Sequence, residues 1–271
     1  MKEFLMFIMF LCSYNINSQI STTLNSKGKV NYDIIMNFKN HKVYKGLLYF
    51  NDSNSYYIYR SMNSKKTETV SETKDNYNTN LNINVTKPDS TSYIVLTDRK
   101  TRIIKSSVKE FKTKKMFFVE DTLPNLNWKL ENETKLIGTI VCKKASTRFK
   151  GRNYIAWYTP EIYSFFGPIK FGQLPGLIIE LYDLDKKLFI QATKISYPFE
   201  KAIHIDENYE YITKEKFENN QDKQMDEIQK EFEEKINIAL LKLGRDVNIS
   251  NVKIETKIKE EEQIEINDNK D

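Results

Sequence analysis

Gly167-Pro168-Ile169-Lys170-Phe171-Gly172-Gln173-Leu174-Pro175-Gly176-Leu177-Ile178-Ile179-Glu180-Leu181-Tyr182-Asp183 runs turn-forming residues straight into a short apolar stretch. Gly167, Pro168, Gly172, Pro175 and Gly176 punctuate its first half, and Leu177 to Leu181 read as a strand buried on at least one face. Five of the chain's eight glycines fall between 138 and 176, where a glycine-poor chain needs positive φ or close backbone approach. Pro175 sets φ near −65° and Gly176 permits φ above zero, so Leu174-Pro175-Gly176-Leu177 suits a type II turn. The structural motif is therefore Gly167, Pro168, Leu174, Pro175, Gly176, Leu177 and Ile178, a corner that aims a strand into the sheet. Only Lys170 and Gln173 in this loop can contact a polar ligand.

Outward from this corner the texture is period two. Val30, Tyr32, Ile34 and Met36 alternate with other residues as one half-buried strand. Residues 46–50 and 55–60 flank the turn-forming tract NDSNS and read as a hairpin with Tyr57 and Tyr59 on one face. The polar tract 61–90 reads as a long mobile loop with frayed strands. Strands resume at 92–96, 101–106, 115–119 and 127–130, and 135–160 reads as two longer strands around FKGR, with Gly151 in the turn. Residues 187–196 close the β pattern. Short polar connections leave no room for crossovers, so the pairing is antiparallel.

Beyond 205 the pattern changes. Met225, Ile228, Phe232, Ile236, Ala239, Leu240 and Leu243 recur every three or four residues, an amphipathic helix ending at Gly244, while 245–271 reads as an acidic, largely disordered tail. The expected fold is mainly β (α+β): a strongly curved antiparallel sheet or incomplete barrel with the long C-terminal helix packed on it. The expected organisation is a signal peptide over 1–18, a β-rich domain over 19–205, and a helical extension with its tail over 206–271.

The leader is read from Lys2, the apolar stretch Phe4 to Leu11, and a polar end with cleavage after Ser18; that apolar run is too short to span a bilayer. Its removal leaves Cys142 as the one cysteine, on an alternating strand and so read as a small buried hydrophobe. Residues 1–205 carry 31 Lys+Arg against 18 Asp+Glu, and 206–271 carry 11 against 19. A basic body with an acidic extension fits the helix folding back, or a basic face meeting an anionic membrane surface. Nucleic acid is not an expected partner, because clustered basic runs are missing.

The chemistry is sparse. His41 and His204 are far apart and lack metal-ligand spacing, no nucleophile elbow, zinc, thiol-redox, phosphate-loop or dinucleotide motif occurs, and Glu161 and Glu180 have no distinguishing spacing. No catalytic residue, metal or cofactor is therefore expected. What remains is an aromatic group. Tyr154 and Tyr158 share one strand face and Trp157 the other, so the plain reading is core on both faces. The functional reading makes Trp157, Tyr163, Phe165 and Phe166 the lining of an apolar cleft.

LPGLI at 174–178, with GP and KF at 167–171, resembles the signature of the GLPGLI family of Bacteroidetes-type bacteria. The similarity continues through Trp128, Ile137, Gly138, Cys142, Lys144, Ala145, FKGR at 149–152, Ala156-Trp157-Tyr158-Thr159 and Glu161-Ile162, covering roughly 128–184. Gln173 stands where the signature has its first glycine, with Gly172 one place earlier, and Tyr163 replaces a proline. The resemblance implies an exported protein of the cell envelope, periplasmic or outer-membrane-associated, and brings no activity with it. Two functions are therefore expected of a non-enzymatic protein. One is binding an apolar ligand, an acyl chain or peptide, in a concave aromatic-lined sheet face; the other is a structural or assembly module docking an outer-membrane partner.

Overall fold

The structure is a computed structural model that describes residues 21–242 except 39–40, 63–66, 76–77, 87–90, 111 and 207–208. The leader read over 1–18 and the tail read over 245–271 lie outside the described residues. The first strands are β1 (Ser21–Ser26), β2 (Gly28–Asn37), β3 (His41–Phe50), β4 (Asn54–Ser61), β5 (Thr67–Asp75) and β6 (Asn78–Thr86). They are followed by β7 (Ser92–Asp98), β8 (Ile103–Lys109), β9 (Met116–Thr122), β10 (Lys129–Ile137) and β11 (Ile140–Phe149). The last are β12 (Arg152–Thr159), β13 (Leu177–Asp183), β14 (Leu188–Ser196), β15 (Lys201–Asp206) and β16 (Glu210–Thr213), before helix α1 (Lys214–Lys242).

Twelve strands form one curved, unclosed sheet in the order β10-β11-β12-β13-β14-β2-β3-β4-β7-β8-β9-β16. Every pairing in it is antiparallel except β16 on β9, and β1 with β15 makes a separate small sheet. The tract read as a mobile loop differs from that expectation: β5 and β6 pair over nine residues each as an antiparallel hairpin. Leu81, Ile83 and Val85 alternate there, a period-two signal among polar neighbours.

Alternation decides which face is buried. Val30, Tyr32, Ile34 and Met36 are buried on β2, and Tyr44, Leu48 and Phe50 join them from β3 in one cluster. Topology then rolls the sheet. Strand β9 lies next to one end of the sheet and β10 forms the other end, yet only Leu123 to Trp128 connect them. Seven Cα steps from Thr122 to Lys129 reach at most about 25 Å, so the two flanks must curl toward each other. Leu123 and Leu126 of this link are buried in the main core.

Both edges are protected against further pairing. Strand β10 carries Lys129, Glu131, Glu133 and Lys135 and breaks register between Leu130 and Thr134; β16 has only four residues. Helix α1 starts at the β16 edge, where the Thr213 hydroxyl accepts the Lys216 amide at 3.2 Å as an N-cap. Phe217, 1% exposed, packs with Phe117, Val119 and Ile212 in a second cluster. Gln221 then donates to the Lys109 carbonyl, Gln224 accepts the Lys112 amide, and Lys112 pairs with Glu227 and Glu231.

The helix therefore packs on the sheet, but its anchoring residue, Phe217, precedes the stripe read from the sequence. Met225 and Ile228 are half-buried, whereas Phe232 is 42% exposed and Ile238 53%. The sheet ends beneath the first turns, and the later turns run past it. The side chains of Ile236, Ala239, Leu240 and Leu243 lie outside the described residues.

Candidate functional site

The connection from β12 to β13, residues 160–176, fills the inside of the curl. Phe166, Ile169, Phe171 and Leu174 are buried in the main core together with Val30, Tyr32, Ile34 and Leu48. The Phe171 ring lies 4.8 Å from that of Tyr154, and the Tyr32 hydroxyl donates to the Ile178 carbonyl at 2.8 Å. Burial alone pushes the Tyr32 phenol far above its ordinary range. This segment is a plug made of the chain itself.

Backbone pairing shapes it. The Gln173 amide donates to the Phe165 carbonyl at 2.6 Å, and Phe166 bridges to Gly172. The tip closes through Phe171 N–H to Pro168 C=O at 3.0 Å, with Ile169 at φ +58°. Two side chains tie the plug to the crossing link: Trp128 Nε1 donates to Gly172 C=O at 2.7 Å, and Gln173 Nε2 donates to Pro124 C=O at 2.6 Å.

The corner is built differently from its sequence reading. Gly176 does not have positive φ, so Leu174–Leu177 is not the expected type II turn; Gln173 takes φ +67° instead. Gly176 is required by crowding, since a Cβ there would lie 2.7 Å from the Thr159 carbonyl carbon and 2.9 Å from Pro160 Cα. Gln173 adopts the left-handed conformation that a glycine accepts without strain.

The four aromatic candidates do not share one cavity. Trp157 is buried, with the Lys135 ammonium 4.5 Å from its ring and its Nε1 without a partner, and Lys135 also pairs with Glu180 at 2.6 Å. Phe166 is core. Phe165 and Tyr163 emerge at the rim: Arg99 stacks its guanidinium 4.6 Å from the Phe165 ring and donates from Nη1 to the Tyr163 hydroxyl at 2.8 Å. Tyr163 is 52% exposed. Tyr154, Tyr158 and Trp157 are all buried, so β12 is covered on both faces as its plain reading has it.

Beside Phe165 and Phe166 lies a cleft of about 10 Å³, enough for one water-sized atom, lined also by Ser55, Thr97, Lys170 and Gln173. Ser55 and Thr97 are cross-strand partners, 6% and 8% exposed. No histidine or carboxylate is among the described residues that line the cleft, so none is placed there to act as a base. Lys170 and Gln173 were legible as the loop's polar contacts. Ser55, Thr97 and Arg99 were not, since Ser55 and Thr97 meet only through the pairing of β4 with β7 and Arg99 lies in the turn beyond it.

The other singled-out residues are structural. Burial pushes the Cys142 thiol up to about 11, the state of an inert buried sulfur. His41 contacts Asn37 at 2.7 Å and His204 contacts Thr23 at 3.2 Å, both at the surface.

No family model and no curated protein matches the chain. Two crystal forms of PNGF-II are similar in part, each with a TM-score of 0.45, at 14% and 15% identity and over 72% of this chain. The chain spans about a third of their length, 33% and 32%.

Proposed function

We propose that this chain is a non-enzymatic, exported cell-envelope protein of GLPGLI type that docks on the anionic surface of the outer membrane. The observation that carries this reading is the contrast between the filled inside of the curl and the basic, aromatic-bearing rim. The cleft inside is about 10 Å³, whereas pockets for drug-sized ligands run to several hundred. At the rim, Arg99 of the β7–β8 turn stacks on Phe165 and bonds to Tyr163, Lys100 follows it in the same turn, and Arg102 donates to the Leu123 carbonyl. Basic side chains attract anionic headgroups and amphipathic rings sit at the headgroup level. The leader pattern over 1–18 and the excess of Lys and Arg before residue 205 support the same reading.

Vesicle flotation tests it. The full chain without residues 1–18 is expected to float with phosphatidylcholine vesicles containing phosphatidylglycerol, to release as salt rises, and not to float with phosphatidylcholine alone. Equal behaviour toward both vesicles overturns the proposal.

A second reading, apolar-ligand binding, has one observation in its favour. Ile169 and Gln173 hold positive φ within one plug, and such strain gathers in segments that move. In that reading an acyl chain displaces Ile169 and Phe171 from the curl. A fluorescent apolar probe, 1-N-phenylnaphthylamine, should then bind saturably, and more tightly when Trp128→Phe releases the plug; unsaturable, variant-independent fluorescence excludes it.

A further inference from the structure

Resting on the docking reading, we infer that the tip of the β10–β11 hairpin, Leu136 to Val141, is a wedge that enters the acyl-chain region of the membrane surface. Leu136-Ile137-Gly138-Thr139-Ile140-Val141 is free of charge, whereas the β3–β4, β7–β8, β11–β12 and β13–β14 turns all carry charged residues. Leu136 is 65% exposed and Val141 49%, and as cross-strand partners they share one face. Ile137 and Ile140, the next pair, leave the other face and pack against the main core, which fixes the tip to the body. Gly138 turns the chain with φ +60°, and a Cβ there would meet nothing within 4 Å, so the tip projects from the sheet.

Strand pairing places this tip at the basic, aromatic end of the sheet. At that end β12 stops and β13 starts, with Thr159 opposite Leu177, β14 stops beside the start of β2, and the β3–β4 and β7–β8 turns lie there too. Tyr163, 52% exposed, and Tyr197, 45% exposed, follow the ends of β12 and β14, and Arg99 stands in the β7–β8 turn. The same end thus offers aliphatic side chains for the acyl region and amphipathic rings and a cation for the headgroups. Within the hairpin the order repeats: exposed Lys143 shares the face of Val141 and lies two residues on, about 7 Å along the strand, which suits a headgroup above an inserted aliphatic pair. Size favours lipid over a second protein. Two exposed side chains are a small part of the roughly 800 Å² per partner that a stable protein interface buries.

Flotation on phosphatidylcholine vesicles containing phosphatidylglycerol tests the wedge, with the full chain without residues 1–18 and its Leu136→Ser/Val141→Ser variant. Both replaced side chains are exposed, so the melting curve should not change. Burying what they still expose is worth about tenfold, so the variant is expected to bind about tenfold more weakly, with the same dependence on salt. Depth is read from Leu136→Cys in a Cys142→Ala background, labelled with nitrobenzoxadiazole. On vesicles its emission should shift to the blue and be quenched by spin labels on the acyl chains. The same label at Leu184→Cys, in the β13–β14 turn at the other end of the sheet, should keep its emission in water. Undiminished binding of the serine variant, or a label at 136 that aqueous iodide still quenches on bound vesicles, overturns the wedge and leaves docking standing. A dimer in sedimentation without vesicles that the serine variant abolishes assigns the patch to a second copy and overturns the wedge as well. If the unaltered chain does not float at all, docking fails and the wedge fails with it.

Discussion

Replacing Gly176 by alanine should destabilise the fold through contact, not through torsion. The added Cβ would lie 2.7 Å from the Thr159 carbonyl carbon and 2.9 Å from Pro160 Cα, where ordinary contact begins at 3.4 Å. The residue before β13 must therefore withdraw from the end of β12, because its Cβ would lie closer still to the Thr159 carbonyl oxygen. Its neighbour Leu177 pairs with Thr159, is fully buried, and donates its amide to the Ile162 carbonyl at 2.9 Å. Backbone atoms cannot swing aside as a side chain would, so the loss belongs with core overpacking, about 2 kcal/mol. For a chain of this size that corresponds to about 4–8 °C in Tm. Gly138→Ala is the internal control: it has φ +60° with nothing within 4 Å of a Cβ, so only the torsional penalty applies, about 1 kcal/mol. Urea denaturation of both variants gives the comparison. A Gly176→Ala loss below about 0.5 kcal/mol, or one smaller than that of Gly138→Ala, would refute the crowding argument.

Gln173→Gly removes the left-handed strain of a side-chain-bearing residue, about 1 kcal/mol, and also removes the bond to Pro124, worth about the same, so denaturation should show little net change. A loss above about 2 kcal/mol would show that the Pro124 tie dominates the plug. Trp128→Phe leaves the Gly172 carbonyl without its donor and should cost about 1 kcal/mol, with faster hydrogen exchange at the Phe171 and Gln173 amides; unchanged exchange would contradict the tie. Cys142 sets a pH dependence. Burial raises its folded-state pKa from 9.0 to about 11, so the folded state keeps a proton that the unfolded state releases, and stability should fall as pH rises from about 9 to 11. The buried phenols Tyr154 and Tyr32 add to the loss above pH 10.0, where their unfolded forms ionise, so Cys142→Ala should reduce the slope most clearly between pH 9.0 and 10.0.

The sheet was legible because its signal is local. Val30 to Met36 alternates over seven residues, and burial of one face needs nothing more than that period. The same holds for the helix, whose existence follows from spacing; its seat does not, because Phe217 finds Phe117 and Val119 only through the parallel pairing of β16 with β9. The plug was half legible. Gly167, Gly172 and Gly176 announced tight backbone, but no propensity places positive φ on Ile169 or Gln173, since tertiary contacts impose it there: Ile169 is buried in the core and Gln173 reaches Pro124. The cleft was the least legible part. Ser55, Thr97 and Lys170 come from separate elements, and sequence distance says nothing about their meeting.

The curl itself depends on these same ties. A twelve-strand sheet with unpaired edges has no closing ladder to fix its curvature, so something else must hold the flanks together. The link Leu123 to Trp128 is too short to let them part, and it is fastened from within by the Trp128 bond to Gly172 and the Gln173 bond to Pro124. Link and plug therefore stabilise each other: the link sets the width of the gap, and the plug fills what that width encloses. Loosening either should be felt at both flanks, β10 and β9, while the β2–β3–β4 centre keeps its pairing. In hydrogen exchange, Trp128→Phe should thus raise opening at β9 and β10 together. Opening confined to residues 160–176 would mean that the plug is a passive filler and that the twist of the strands alone holds the curl.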